Sequence, residues 1–203
     1  DGKTDAKDAA VIADQARMRR DLHPLRHRDE TTVALRMLCA RRTDLSADRT
    51  RAINRLRTQL LEYFPSLERA FDYAHRRGAL ILLTKFCTPG AIRKAGPELI
   101  TAWLRKQGAY RSDVLAAQAI AAAQSQYTVV PGEQTGAAIV EKLAYQVMAL
   151  DAELDEMEQT ITEQFRGHAY APAIASMPGF GPLLGAEFVG STVAILEARG
   201  EWP

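Results

Sequence analysis

The sequence contains few cysteines and no cysteine motif. Cys39 and Cys87 are its only two, and they form neither a Cys-x-x-Cys pair nor a cluster with histidine. This pattern excludes a disulfide framework and the common zinc motifs. We expect both cysteines to be buried free thiols in a reducing compartment.

Long apolar runs are absent as well. No run reaches the length that crosses a membrane, and the first residues lack the apolar segment of a signal peptide. The sequence therefore predicts no membrane partner and a cytoplasmic location. No strand pattern precedes the opening residues, so we expect the chain to begin inside a domain.

Alternation of β-branched residues is almost absent, whereas alanine, leucine and arginine are abundant, and this predicts a mainly α fold. The 203 residues can bury one good core or two small ones. A first helix is predicted from about Asp5 to Arg20, with a break at Pro24. A long helix follows from about Asp29 to Tyr63 and ends before Pro65.

The middle of the chain is predicted to form three short helices, separated by Gly78, Pro89, Gly96-Pro97 and Gly108. Ser112 is predicted to cap a further alanine-rich helix that extends to about Gln126.

The most regular apolar repeat comes late in the chain and alternates three- and four-residue steps. Its members are Val140, Leu143, Val147, Leu150, Leu154, Met157 and Ile161. Such a repeat is typical of a coiled-coil seam. The seam could instead be the core of a helical bundle, and the pairing could lie within one chain or across a dimer.

Charge is distributed unevenly although the formal net charge is only +1. Residues 17–57 contain twelve arginines and five acidic residues, whereas residues 141–166 contain seven acidic and two basic residues. The planar guanidinium fork of arginine suits phosphate, so the basic stretch predicts nucleic-acid binding, with a solvated helix face as the alternative. The candidate residues are Arg17, Arg19, Arg20, Arg26, Arg28, Arg41, Arg42, Arg51, Arg55 and Arg57.

Two carboxylates stand three residues apart at the start of the chain, in Asp5 and Asp8. Aspartate is common in a first helical turn, where it caps backbone N–H groups and complements the helix dipole. Residues at this spacing also share a helical face and could bind a divalent cation. Spacing alone favours the capping interpretation.

A glycine-rich turn precedes a small apolar helix in the segment "SMPGFGPLLGAEF". Gly179 and Gly181 would let backbone N–H groups point at one spot near a helix N-terminus, as in a helix-hairpin-helix motif. A phosphate-binding role and an ordinary Pro-Gly turn are equally compatible with this pattern.

Three segments together resemble the insertion-sequence one-ten (IS110) family of bacterial transposases, also called DEDD transposases, which includes bridge-RNA-guided recombinases. They are "KTDAKDAAVIAD", "INRLRTQLLEYFPSLE" and "MPGFGPLLGAEF", in matching order from about Gly2 to Phe188. The resemblance implies a RuvC-like domain of RNase H fold with four acidic residues, an antiparallel coiled-coil region, and a C-terminal transposase domain with a serine nucleophile.

The resemblance implies roles for several residues and partners. Asp5 and Asp8 correspond to the third and fourth acidic residues and would be catalytic ligands of Mg²⁺. The implied partners are DNA, a structured guide RNA and a second copy of the chain, and the implied location is the bacterial nucleoid.

The sequence also departs from the family pattern. The strands that would carry the first two acidic residues are missing, and the chain leaves the pattern after Phe188, where Ser191 stands in the wrong context for the nucleophile. We therefore expect a fragment that is inactive alone. Residues 1–22 would end the RuvC-like domain, residues 23–167 would form the helical region, and residues 168–203 would begin the C-terminal domain.

Three functions remain open. The first is part of a recombinase that cuts and rejoins DNA strands. The second is a non-catalytic coiled-coil module for nucleic-acid binding or dimerisation, and the third is a purely structural helical bundle.

Overall fold

The computed structural model is helical and describes Asp14 and residues 30–193. In this part of the chain no residue lies in a β-strand, which confirms the mainly α prediction. The helices are α1 Glu30–Tyr63, α2 Pro65–Ala70, α3 Arg77–Leu83, α4 Pro89–Lys106, α5 Ser112–Gln124, α6 Glu133–Arg166, α7 Ala171–Ala175 and α8 Pro182–Phe188, followed by a π-helix, Val189–Val193. None of these helices is long and apolar enough to span a membrane.

The predicted first helix and the break at Pro24 lie outside the described residues, except for Asp14, which is helical. The long helix α1 matches its prediction closely. Leu45, Ala52, Leu56 and Leu60 recur along it and are all buried, as an amphipathic helix requires.

The chain divides into two compact units, to which α1 and α6 both contribute. The middle unit consists of residues 42–157, and the terminal unit consists of residues 1–41 and 158–203.

In the middle unit, α1 and α6 run antiparallel and touch closely. A Cβ atom added to Gly136 of α6 would lie 2.7 Å from Cδ1 of Tyr63, so only glycine admits the tyrosine ring there. Further along the pair, the guanidinium of Arg49 forms an ion pair with Asp151 and also donates to the carbonyl of Ala74 at 2.8 Å. The two long helices of opposite charge therefore pair within one chain in this unit.

The predicted seam on α6 is partly used inside the chain. Val140 and Val147 are fully buried in the core of the middle unit, with Leu143 and Leu150 packed against it. This part of the repeat is bundle core, as the alternative interpretation predicted. Further along, Leu154 and Met157 are only half-buried.

The short helices α2 to α5 cover one end of this pair. The predicted three short helices correspond to α3 and the two halves of α4, which bends at Gly96, where φ is 71°. The predicted cap at Ser112 is wrong, because Arg111 is the N-cap residue and adopts a left-handed conformation. The Ser112 hydroxyl instead donates to the carbonyl of Ala109 at 2.7 Å.

In the terminal unit, small residues allow close packing around the end of α6. A Cβ on Gly185 would lie 2.4 Å from the ring of Phe165, and one on Gly190 would lie 2.9 Å from Cα of Arg36. The buried imidazole of His168 accepts the N–H of Tyr170 at Nδ1, 3.3 Å away. Its Nε2 therefore carries the proton and donates to the Thr32 hydroxyl at 3.1 Å.

Candidate nucleic-acid interface

The predicted acidic pair, Asp5 and Asp8, lies outside the described residues, so the structure gives no geometry for it. Among the residues that are described, no three His, Cys, Asp or Glu side chains gather as a metal site would require. The candidate residues Arg17, Arg19, Arg20, Arg26 and Arg28 also lie outside the described part.

Two of the predicted arginines on α1 are exposed and one helical turn apart. Arg51 forms an ion pair with Asp48 on the same helix, and the Arg51 side chain keeps 59% of its surface exposed. Arg55 is exposed and has no ion-pair partner in the described part of the chain. Exposed pairs such as Arg51–Asp48 are weak, so both guanidinium groups are available to a phosphate.

Arg57 has a different environment from its neighbours. Its Nε lies 2.7 Å from Oε1 of Glu68, whose side chain is only 7% exposed. A buried carboxylate needs such a partner, because desolvation without compensation is costly. Arg57 therefore holds α2 to α1, whatever else it binds.

Arg41 and Arg42 already have interactions within the chain. Arg41 is exposed and Arg42 is half-buried. Their predicted role in nucleic-acid binding stays a prediction, like that of the other arginines.

The predicted glycine turn joins α7 to α8. Gly179 has a φ of 85°, which favours glycine, and Gly181 is the N-cap residue of α8, followed by Pro182. The Phe180 N–H donates to the Met177 carbonyl at 3.2 Å, which closes the turn. Gly179 and Gly181 are both exposed, and the turn has the helix–turn–helix shape that the sequence predicts.

A cationic cavity in the middle unit was not predicted from the sequence. It has a volume of about 690 Å³ and is lined by the "HRRG" segment before α3, the loop from Gly108 to Arg111, and the first half of α5. Its charged lining residues are Arg76, Arg77 and Arg111, together with His75. The "HRRG" run was the available signal, but Arg111 lies 34 positions later, and only the packing of α5 beside α3 unites them.

A second cavity of about 710 Å³ adjoins the first, since Arg76 and Gln118 line both. Its charge is mixed, because Glu68 and Asp72 line it with Arg57 and Arg69. Nδ1 of His75 lies 2.9 Å from Asp72, and this hydrogen bond lowers the pKa of the Asp72 carboxyl.

Comparison with known proteins agrees with the resemblance seen in the sequence. Residues 1–65 match a family model of transposases, the IS110 type with the DEDD acidic set. A 42 kDa uncharacterized protein of insertion element IS900 from Mycobacterium paratuberculosis is 54% identical over 192 residues, which cover 95% of this chain and 48% of that protein.

Two further relatives come from Streptomyces insertion elements. The IS116 44.8 kDa protein of Streptomyces clavuligerus is 50% identical over 93% of this chain and 47% of its own length. The IS110 43.6 kDa protein of Streptomyces coelicolor is 37% identical over 89% of this chain and 45% of its own length. The chain thus spans about half the length of the curated relatives it matches, and no solved structure matches it significantly. The chain belongs to the IS110 family of insertion-sequence transposases.

Proposed function

We propose that the protein to which this chain contributes cleaves and rejoins DNA strands during transposition. The observation that carries the proposal is the transposase match over residues 1–65, since that stretch contains the Thr4-Asp5-Ala6-Lys7-Asp8 motif. The exposed arginines of α1 support it, because a strand-transfer enzyme must hold nucleic acid while it acts.

Asp5 and Asp8 are proposed as catalytic ligands of Mg²⁺. Carboxylate oxygens are the ligands that this ion prefers, so the two side chains suit it chemically. They are half of the four-acid set that the family pattern implies. When bound, Mg²⁺ would neutralise negative charge on the phosphodiester group.

The binding role falls to the cations and the glycine turn. Arg51 and Arg55 would contact the phosphates of DNA or of a structured guide RNA, and the turn at Gly179 and Gly181 would contact a backbone phosphate in the terminal unit. Phosphate contacts of this kind position a nucleic acid without reading its sequence. This assignment places the protein in the bacterial cytoplasm, associated with the nucleoid.

The proposed domain organisation follows the family pattern. Residues 1–22 would end a RuvC-like domain, residues 23–167 would form the antiparallel coiled-coil region with its covering helices, and residues 168–203 would begin the C-terminal transposase domain. The half-buried part of the α6 seam would join two copies in a homodimer.

The test uses a protein of the relatives' full length that contains this chain, incubated with Mg²⁺, its nucleic-acid partners and target DNA. Asp5→Asn and Asp8→Asn should each abolish strand exchange, because each removes a charged metal ligand. Asp44→Asn is the matched control, since Asp44 is an exposed acid on α1, and it should retain activity.

Strand exchange at the wild-type level in both aspartate variants would refute the catalytic assignment. If those variants also bound nucleic acid normally, the alternative function would stand, namely a non-catalytic module for binding or dimerisation.

A further inference from the structure

We propose that the cationic cavity between α3 and α5 binds an unpaired nucleotide of a single-stranded nucleic acid. Arg76, Arg77 and Arg111 would hold the phosphates and Tyr110 would stack on a base. The inference rests on the proposed nucleic-acid function and adds a site that the basic stretch of α1 does not contain.

The charge of the cavity is of one sign. Three arginines line it, and no aspartate or glutamate does. Neither Arg76, Arg77 nor Arg111 has an ion-pair partner among the residues that the structure describes. The neighbouring carboxylate of Asp72 is engaged by His75. Like charges on one concave surface repel one another, and their combined field attracts an anion.

An aromatic side chain stands at the rim of the cavity. Tyr110 lines it and is 86% exposed, and Val114 on the first turn of α5 is 41% exposed. Exposed aromatic rings beside a positively charged groove are how single strands are bound without sequence preference, because every base has a face that can stack. A free inorganic anion would gain nothing from this ring.

The cavity also contains an unsatisfied acceptor. Gln118 lines it, and Oε1 of Gln118 is buried without a hydrogen-bond partner in the described part of the molecule. Buried acceptors in folded proteins are nearly always paired, so this one calls for a donor. The N–H groups on the edges of nucleotide bases are donors of the right kind.

The backbone at the rim is held in an unfavourable conformation. Arg111 has a φ of 52°, the only positive φ outside glycine among the described residues. A left-handed arginine is strained, and residues held in this way concentrate at ligand sites. The strain also offers a useful variant, because glycine adopts this conformation without cost.

The size of the cavity suits an unpaired nucleotide better than a duplex. Its 690 Å³ falls in the range of about 300–1,000 Å³ that encloses small ligands. The adjoining cavity, which shares Arg76 and Gln118, would receive the next part of the strand.

The experiment measures binding of the complete 203-residue chain to fluorescent oligonucleotides over a range of salt concentrations. The probes are single-stranded RNA, single-stranded DNA and duplex DNA of equal length. The combined variant Arg76→Gln, Arg77→Gln, Arg111→Gly should bind single strands at least tenfold more weakly. Its slope of log affinity against log salt should be shallower by about 2, at about 0.7 for each phosphate that an arginine no longer neutralises.

Tyr110→Ala should weaken single-strand binding about five- to 150-fold, and Tyr110→Phe should restore it, because stacking needs the ring and not the hydroxyl. Duplex binding should respond little to either change. Unequal binding of RNA and DNA oligonucleotides would identify which strand the site prefers, since the 2′-hydroxyl is their difference at a given position.

The matched control is Lys94→Gln with Lys142→Gln, two exposed lysines outside the cavity. The control should bind like the wild type. Arg111→Gly alone separates binding from folding, because it should keep or raise the melting temperature while it weakens binding.

Equal losses of affinity in the cavity and control variants would overturn the proposal, since they would mean diffuse electrostatic attraction. Unchanged affinity in Tyr110→Ala would overturn it too. Either result, with nucleic acid still bound by the wild type, leaves the proposed transposase function intact. A wild-type chain that binds no nucleic acid would contradict both.

Discussion

The buried hydroxyl and thiol groups around Cys87 are held in their neutral forms. The Tyr63 hydroxyl donates to the Cys87 carbonyl at 2.9 Å, and the Cys87 thiol donates to the Leu83 carbonyl at 2.7 Å. Burial raises the pKa of the Cys87 thiol to about 12, with a smaller contribution from the charge of Glu141. Burial likewise raises the pKa of Tyr63 and of Tyr73 above the usual range.

These shifts predict that stability falls in alkaline solution. Below about pH 9 the thiol is neutral in both the folded and the unfolded chain, and its contribution is complete. As the pH rises from about 9 towards 12, the unfolded thiol ionises before the folded one, so the free energy of unfolding should fall by up to about 1.4 kcal/mol per pH unit from this group. Ionisation of Tyr63 and Tyr73 in the unfolded chain adds to the loss above about pH 10.

Urea unfolding from about pH 8 to about pH 11 would measure this dependence. Cys87→Ala is the informative variant, because it removes one titrating group and should make the decline shallower. Cys39→Ala serves as the comparison, since Cys39 is only half-buried. A decline that is the same in wild type and Cys87→Ala would contradict the assigned cause.

Single residues were predicted from the sequence with mixed success, and the reason is physical. Cys87 is buried and free, as predicted, but Cys39 is only half-buried, because helical surroundings do not reveal which face meets the core. Arg51 and Arg57 look alike in the sequence, yet Arg57 faces the buried Glu68. That contact depends on how α2 folds back on α1 after Pro65, which periodicity does not encode.

At the scale of elements, long periodic helices were the most predictable. The apolar repeat of α1 and the proline after Tyr63 determine that helix locally, so the predicted and observed bounds nearly coincide. The cationic cavity was missed for the opposite reason, because it requires α3 and α5 to pack together. Close contact at Gly78, where an added Cβ would lie 2.5 Å from Leu115, brings them together.

The contacts of α1 predict a division of labour among its arginines. Arg57→Gln should lower the free energy of unfolding by about 1–3 kcal/mol, because it leaves the Glu68 carboxylate buried without its partner. Nucleic-acid affinity should change little. Arg51→Gln with Arg55→Gln should do the reverse, keeping stability and reducing the salt slope by about 0.7–0.9 for each phosphate contact.

Chemical denaturation and oligonucleotide binding on the same samples would check both halves of this prediction. The double variant Arg57→Gln, Glu68→Gln is the control, since two neutral side chains should recover most of the stability. If Arg57→Gln weakened binding while the stability stayed unchanged, its ion pair with Glu68 would be incidental.

For the molecule as a whole, the α6 seam bears on whether two copies associate. Its first half, around Val140 and Val147, is already buried in the chain's own core and offers nothing to a partner. Its second half retains partly exposed apolar surface at Leu154 and Met157. A partner copy that covers this surface would gain the burial that the single chain leaves incomplete.

We therefore expect a concentration-dependent dimer that Leu154→Glu with Met157→Glu converts to monomer, because two charges would have to be buried at the contact. Light scattering across protein concentration, with circular dichroism for helix content, measures the two properties separately. Ala152→Glu is the matched control, because Ala152 is an exposed residue of α6 outside the apolar repeat, and it should still dimerise. Val147→Glu should instead lose helix content, since Val147 is fully buried. A wild-type chain that stays monomeric at high concentration with full helix content would mean that pairing of α1 with α6 satisfies the seam within one chain.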